Sequence, residues 1–286
     1  NGRGWATGFN WQGDRDTTLQ AFDFVADSIA ESIADGVSGR TFYIPDRVHY
    51  ALPATEKQFT GNLPTGSYVS VPEDMIVGIH WMNTQRRIDL DLSTVGVGEK
   101  YGWDASYRSE ALDVLFSGDM TNAGVPDGAS ELFYFKNSDA HNAIMCVNYF
   151  NFDGNDPVSC SIVVAQEKAS RFGRNYMVDV NNVLASANIL VDKRQTVLGL
   201  IANVEGENRF YFANVAIGNS IASSRGEQSN HVRGFFFKSM VNSIELADVL
   251  KVAGAKVVSK KPSGEFVDLS PSALDKGTIL GLFASP

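Results

Sequence analysis

A mainly β protein, an antiparallel β-sandwich with an N-terminal helix and a small C-terminal α/β appendage, is the fold class this sequence predicts. Three observations predict it. Between Ser67 and Lys238, short apolar and β-branched runs recur, separated by polar turn signals. One strongly amphipathic helical pattern stands ahead of them, at residues 16–35. Behind them, a second helical pattern at 242–253 is followed by short apolar runs.

Residues 1–15 are Gly-rich and aromatic (Trp5, Phe9, Trp11), without period, and read as an irregular arm packed on the protein or on a neighbouring subunit. The helix follows. Leu19, Phe22, Val25 or Ala26, Ile29 and Ile33 make its apolar stripe, with Asp16 as N-cap and Gly36 as stop. Gln20, Asp23, Asp27, Glu31 and Asp35 form a solvated opposite face. Thr41–Ile44 and Val48–Leu52 read as short strands broken by Pro45 and Pro53, and 56–65 as a loop. The three parts are thus 1–63, a sandwich at 64–227 and an extension at 228–286.

The sandwich strands are expected at Ser67–Val71, Met75–Trp81, Arg87–Leu92, Ala111–Phe116, Glu131–Lys136, Ala143–Phe150, Ser159–Ala165, Tyr176–Val180, Thr196–Val204, Arg209–Ile217 and His231–Lys238. In the extension, Asn242–Ala253 predicts a helix ended by Gly254. Lys256–Ser259 and Glu265–Leu269 pair around Pro262-Ser263-Gly264, Ser270-Pro271 opens a turn or short helix, and Ile279–Phe283 closes a small sheet.

A chain of 286 residues buries about 75% of its unfolded surface and needs no disulfide staples. With 44% apolar and 20% charged residues, its composition is that of an ordinary globular protein. No apolar run is long enough to span a bilayer as a helix, and no secretory signal peptide is visible. Because the chain starts at Asn1, a processed or trimmed product is expected, cytoplasmic or held within an assembled particle.

Net charge is −9, from 24 basic and 33 acidic residues, which argues against a nucleic-acid partner. The acid is concentrated: residues 64–227 carry 20 acidic against 12 basic residues, whereas 228–286 carry five against seven. Cys146 and Cys160 read as two buried free thiols, although neighbouring strands would also permit a disulfide. No Cys/His spacing suits zinc. Catalytic patterns are missing: no nucleophile elbow, no Walker A loop and no dinucleotide fingerprint occur, so no enzyme is expected.

The most informative stretch runs from Ile76 to Phe135. Here carboxylates sit in or at the ends of apolar, strand-like runs beside Gly and Ser: Asp89-Leu90-Asp91-Leu92-Ser93, Tyr101-Gly102-Trp103-Asp104, Ser117-Gly118-Asp119 and Glu131. Oxygen ligands from adjoining segments suit a hard cation. On a strand, Asp89 and Asp91 face one side while Ile88, Leu90 and Leu92 face the core. The same acids also suit a solvated face or Asx-turns without an ion.

In order and motif, residues 64–219 resemble the TerD family of tellurium-resistance and stress-response proteins. Val77-Gly78-Ile79-His80-Trp81 stands where that family has a Gly-x-Gly-Trp-Asp-type element. Asp89-Leu90-Asp91-Leu92-Ser93 matches its Asp-x-Asp-x-Ser, Ser117-Gly118-Asp119-Met120-Thr121-Asn122 its Ser/Thr-Gly-Asp-Asn, and Gly128-Ala129-Ser130-Glu131 its Gly-Asp-Asp-Glu. Thr196–Gly218 resembles its late glycine-broken hairpin. The chain departs from the pattern at Met82, Met120, Ala129 and Ser130, which weakens at least one cation position.

What the resemblance implies is a TerD-like sandwich binding Ca2+ through Asp89, Asp91, Asp119 and Glu131, with Asp104 and Asp127 in reserve and Asp113 a further candidate. It would act as an interaction or scaffold module in stress response or defence, through a protein partner or self-assembly. The alternative is a structural component of a virus particle or other large assembly that reuses the sandwich. A metal-dependent hydrolase would need an open coordination position over a cleft.

Overall fold

The computed structural model describes residues 13–53, 55, 57–96, 100–103, 113–137, 141–218, 234 and 237–284. Chain order is α1 (Arg15–Val37), β1 (Thr41–Tyr43), β2 (Val48–His49), β3 (Phe59–Thr60), β4 (Leu63–Pro64), β5 (Tyr68–Val71), β6 (Met75–Trp81), β7 (Leu90–Val95), β8 (Lys100–Gly102) and β9 (Val114–Phe116). It continues with β10 (Ala129–Phe135), β11 (Asn142–Tyr149), β12 (Val158–Gln166), β13 (Val183–Val191), β14 (Gln195–Val204), β15 (Glu207–Gly218), α2 (Leu246–Val252), β16 (Lys256–Val258), β17 (Val267–Asp268) and α3 (Lys276–Leu282).

Two open sheets carry the fold. One has five strands in the order β13-β12-β6-β10-β9, the other seven in the order β2-β5-β15-β14-β11-β7-β8. Pairing within both is antiparallel. The expected β-sandwich is therefore present. Its core is built by alternation: Val77, Ile79, Phe133, Ile162 and Val164 from the first sheet join Leu90, Leu92, Val147, Leu198, Phe210 and Phe212 from the second in one buried cluster. Residues of opposite parity face outward and are covered in turn. Ile76, Leu132 and Tyr134 pack with Phe172 and Tyr176, and Leu200 and Tyr211 with Met240.

β6 is central to the smaller sheet, and Gly78 lies in its middle. A Cβ there would sit 2.1 Å from the carbonyl oxygen of Glu131, so only glycine lets β10 lie this close. The cysteines are buried and free, as expected. Burial pushes both thiols up to about 12, which leaves them unreactive near neutrality.

The flanks meet in a third, parallel layer, β16-β1-β17. β1 lies between the two C-terminal strands, so Lys256–Ser259 and Glu265–Leu269 do not pair with each other as expected. A strand from more than two hundred residues upstream takes the place between them. Nor does Ile279–Phe283 form a strand. Asp275 accepts the Thr278 N–H at 2.8 Å and caps α3 instead.

Other boundaries move for local reasons. The cap of α1 lies two residues earlier than expected, because Asp14 rather than Asp16 accepts N–H bonds, from Asp16 and Thr17. It runs through Gly36 to Val37. The second helical pattern shortens to α2 because Ala51 bridges Glu245, extending the chain just before the helix. Tyr176–Val180 is not a strand; its Tyr176 and Val178 lie over the outer face of the smaller sheet. β13, in contrast, is a nine-residue strand without a sequence expectation. Most of the expected N-terminal arm, and most of His231–Lys238, fall outside the described residues; of the latter, Gly234, Phe237 and Lys238 are helical and not the expected strand.

Candidate metal centre

Three of the expected acids converge. One carboxylate oxygen each from Asp89, Asp91 and Asp119 lies within 4.8 Å of the others, a group that could hold a metal ion. The three come from two sheets. Asp91 sits on β7 of the larger sheet, paired opposite Asn148. Asp89 immediately precedes β7. Asp119 sits on the segment that leaves β9 of the smaller sheet, after Gly118 at φ +100°, a turn that glycine adopts without strain.

The surrounding loops are laced by asparagines and a serine. Asn83 Oδ1 accepts the N–H groups of Ile88 at 2.9 Å and Ala123 at 3.2 Å, and its amide donates to Asn122 at 2.8 Å. Asn151 Oδ1 accepts the Asp89 N–H at 3.1 Å while its amide donates to the Arg87 carbonyl at 2.7 Å. Ser117 Oγ accepts the Leu132 N–H at 2.9 Å. The Arg87 side chain bonds the Thr121 carbonyl. Asn83, Asn151, Ser117 and Arg87 are not among the residues expected to build the site. The legible signal for them is Asn at loop positions beside the acids, where its side chain mimics backbone.

Glu131 departs from the expected role. It is fully buried on the core side of β10, and both of its oxygens are engaged. Oε2 accepts the Leu92 N–H at 2.7 Å and Oε1 the Met120 N–H at 2.8 Å. The last β7–β8 pair is Ser93 with Gly102, so Leu92 lies one residue beyond the ladder, where the carboxylate supplies its acceptor. Glu131 therefore clips the strand of Asp91 to the loop of Asp119, as a positioning residue. Met120 takes part through its backbone.

Electrostatics mark the cluster as strained by like charge. Burial pushes Glu131 well above the usual carboxylate range; its two N–H bonds oppose this, and Asp91 and Asp119 add to it. Asp89 is also raised, by burial first and by Asp119 second, with Arg87 pulling it back. Among the described residues, Asp89 Oδ1 and Asp119 Oδ1 are buried without a hydrogen-bond partner. Buried carboxylate oxygens ordinarily find a donor.

The converging carboxylates suit a cation. Two donors each about 2.4 Å from one calcium are at most about 4.8 Å apart, and every pair in the group meets that bound. A ligand set of carboxylates alone is hard-cation chemistry. Of the remaining expected residues, Asp127 is exposed beyond Pro126 and Asp113 lies beside the Lys136 ammonium at 3.9 Å, so neither joins; Asp104 lies outside the described residues. His80 Nδ1 is 3.0 Å from Ser130 Oγ, an oriented strand histidine.

No protein-family model, curated protein or solved structure matches this chain. Among the described residues, no helix is long and apolar enough to cross a membrane.

Proposed function

We propose that this protein is a calcium-binding, TerD-like sandwich that works as an interaction or scaffold module in stress response or defence. One observation carries the cation reading: oxygens from Asp89, Asp91 and Asp119 fall within 4.8 Å of one another, in carboxylates of which Asp89 and Asp119 each bury an oxygen without a donor. Asp89, Asp91 and Asp119 would hold the ion, and Glu131 would set their spacing. Bound calcium would neutralise the repulsion and lock the β7 and β9 loops into one surface for a protein partner. The family assignment rests on the order of motifs at residues 76–131.

The test is a calorimetric calcium titration of the wild type beside an Asp89→Asn/Asp91→Asn variant, with thermal melts in EDTA and in calcium. A native-state ligand at about 100 times its Kd adds about 2.7 kcal/mol. Heat and a melting shift in the wild type, both lost in the variant, support the reading. Neither heat nor stabilisation in the wild type sinks it.

A further inference from the structure

The outer half of α1 has no packing partner among the described residues. Only its C-terminal half is anchored: Ala30, Ile33 and Val37 are buried, against the layer that holds α2 and α3. Residues 15–25 are exposed all round, a projection of about 16 Å. Their composition does not suit solvent. Leu19 is 49% exposed, Phe22 44%, Val25 49% and Phe24 72%. Leu19, Phe22 and Val25 continue, at helical spacing, the same stripe that Ile29 and Ile33 bury lower down. A continuous apolar stripe, half covered and half bare, marks a surface with a partner.

The charges beside the stripe say what kind of partner. At about 100° per residue, Asp16, Asp23 and Asp27 align as a strip along one flank of Leu19, and Phe24 borders that strip on its far side. Arg15 is the single basic residue of the helix. Among the described residues, no ion pair engages Asp16, Asp23 or Asp27. Carboxylates between apolar side chains are a seat for Lys or Arg. The aliphatic stem lies on Leu19 or Phe24 and the cationic head reaches the acids. Two copies of α1 fit poorly: side by side antiparallel, their acidic flanks meet, and parallel, the acids still lack a counter-charge. An anionic membrane would repel the same strip.

We infer that the projecting half of α1 docks a basic amphipathic helix of a partner protein, its apolar face on Leu19, Phe22 and Val25 and its cations on Asp16, Asp23 and Asp27. This face shares no residue with the carboxylate cluster and does not depend on calcium.

The probe is a synthetic helix of about 18 residues with a Leu stripe flanked by Lys, compared with the same peptide carrying Glu in place of Lys, both followed by fluorescence anisotropy on the full chain in EDTA. We expect the Lys peptide to bind at least tenfold tighter. Phe22→Ser/Val25→Ser should weaken it at least tenfold, and Asp16→Lys/Asp23→Lys/Asp27→Lys should reverse the preference, with melting temperatures unchanged because these positions are exposed. The whole chain is acidic, so the variants locate the binding. Several results overturn the inference: no binding, Lys binding indifferent to the α1 variants, or binding that appears only when residues 1–12 are deleted. A doubled mass in light scattering that Phe22→Ser restores to monomer overturns it in favour of a second copy.

Discussion

Asp89→Asn should stabilise the calcium-free protein and abolish its response to calcium. Two unit charges 4.8 Å apart repel by about 0.9 kcal/mol at the permittivity of water and about 3.5 kcal/mol at an effective value of 20. Asp89 belongs to two of the three pairs in the cluster. It is half buried and Arg87 offsets part of the repulsion, so a net relief of about 1–3 kcal/mol is expected in EDTA. That is about 2–5 °C in melting temperature for a chain of this size. Asparagine keeps the shape, and the backbone bonds of residue 89 to Asn151 and Phe150 survive. In calcium at 100 times Kd the variant forgoes about 2.7 kcal/mol, so its advantage over wild type disappears or inverts. The pH dependence has a definite sign. Asp89 and Glu131 hold their protons more tightly folded than unfolded, so their contribution is present at acid pH and is lost as pH rises through the raised values. Calcium would reverse this for Asp89, whose ionised form it would bind. Melts in EDTA and calcium from acid to neutral pH, for wild type and variant, read all of it. A variant less stable than wild type in EDTA, or one with an undiminished calcium shift, refutes the reasoning.

Glu131→Ala leaves the Leu92 and Met120 N–H groups buried and unpaired. At about 1–3 kcal/mol each, urea unfolding should show a loss of about 2–5 kcal/mol; under 1 kcal/mol would mean the clip is not used. Gly78→Ala drives a methyl into the Glu131 carbonyl, and about 2–3 kcal/mol of destabilisation is expected together with weaker calcium binding, since Glu131 is displaced. Glu245→Gln touches the opposite edge, where that carboxylate bonds His49 at 3.1 Å and Tyr68 at 2.7 Å. These bonds, His49 first, hold Glu245 below its usual value, so its stabilisation, about 1 kcal/mol, is present above pH 4.5 and lost below it. The difference between wild type and variant in acid titrations of stability should therefore shrink as pH falls, and a constant difference would contradict it.

Local periodicity made most of the sandwich legible. β6, β10, β11, β12, β14 and β15 are runs of Val, Ile, Phe and Tyr whose alternation survives reading without partners. β13 escaped because its inward residues are Ala185 and Ala187 and its outward ones Ser186 and Asn188, which carry little β signal. It is a strand because β12 supplies a ladder along its full length. The C-terminal hairpin was misread for the opposite reason. Its turn chemistry is real, but the place between its arms is taken by β1, and pairing over that separation leaves no local trace.

The candidate metal centre divides the same way, and the division sets its charge. Asp89, Asp91 and Asp119 were legible because a ligand needs only an acid at the right end of a strand. Glu131 looked like a fourth ligand for the same reason, since sequence does not distinguish a carboxylate aimed at an ion from one aimed at two N–H groups. The deciding fact is where β8 stops: Gly102 pairs with Ser93 and leaves the Leu92 N–H for Glu131. With both Glu131 oxygens taken by backbone, three carboxylates face the centre rather than four. A divalent ion would then leave a residual charge of about one unit on the three aspartates. On the proposed reading, moving Glu131 from the ligands to the frame would let a single calcium relieve the cluster.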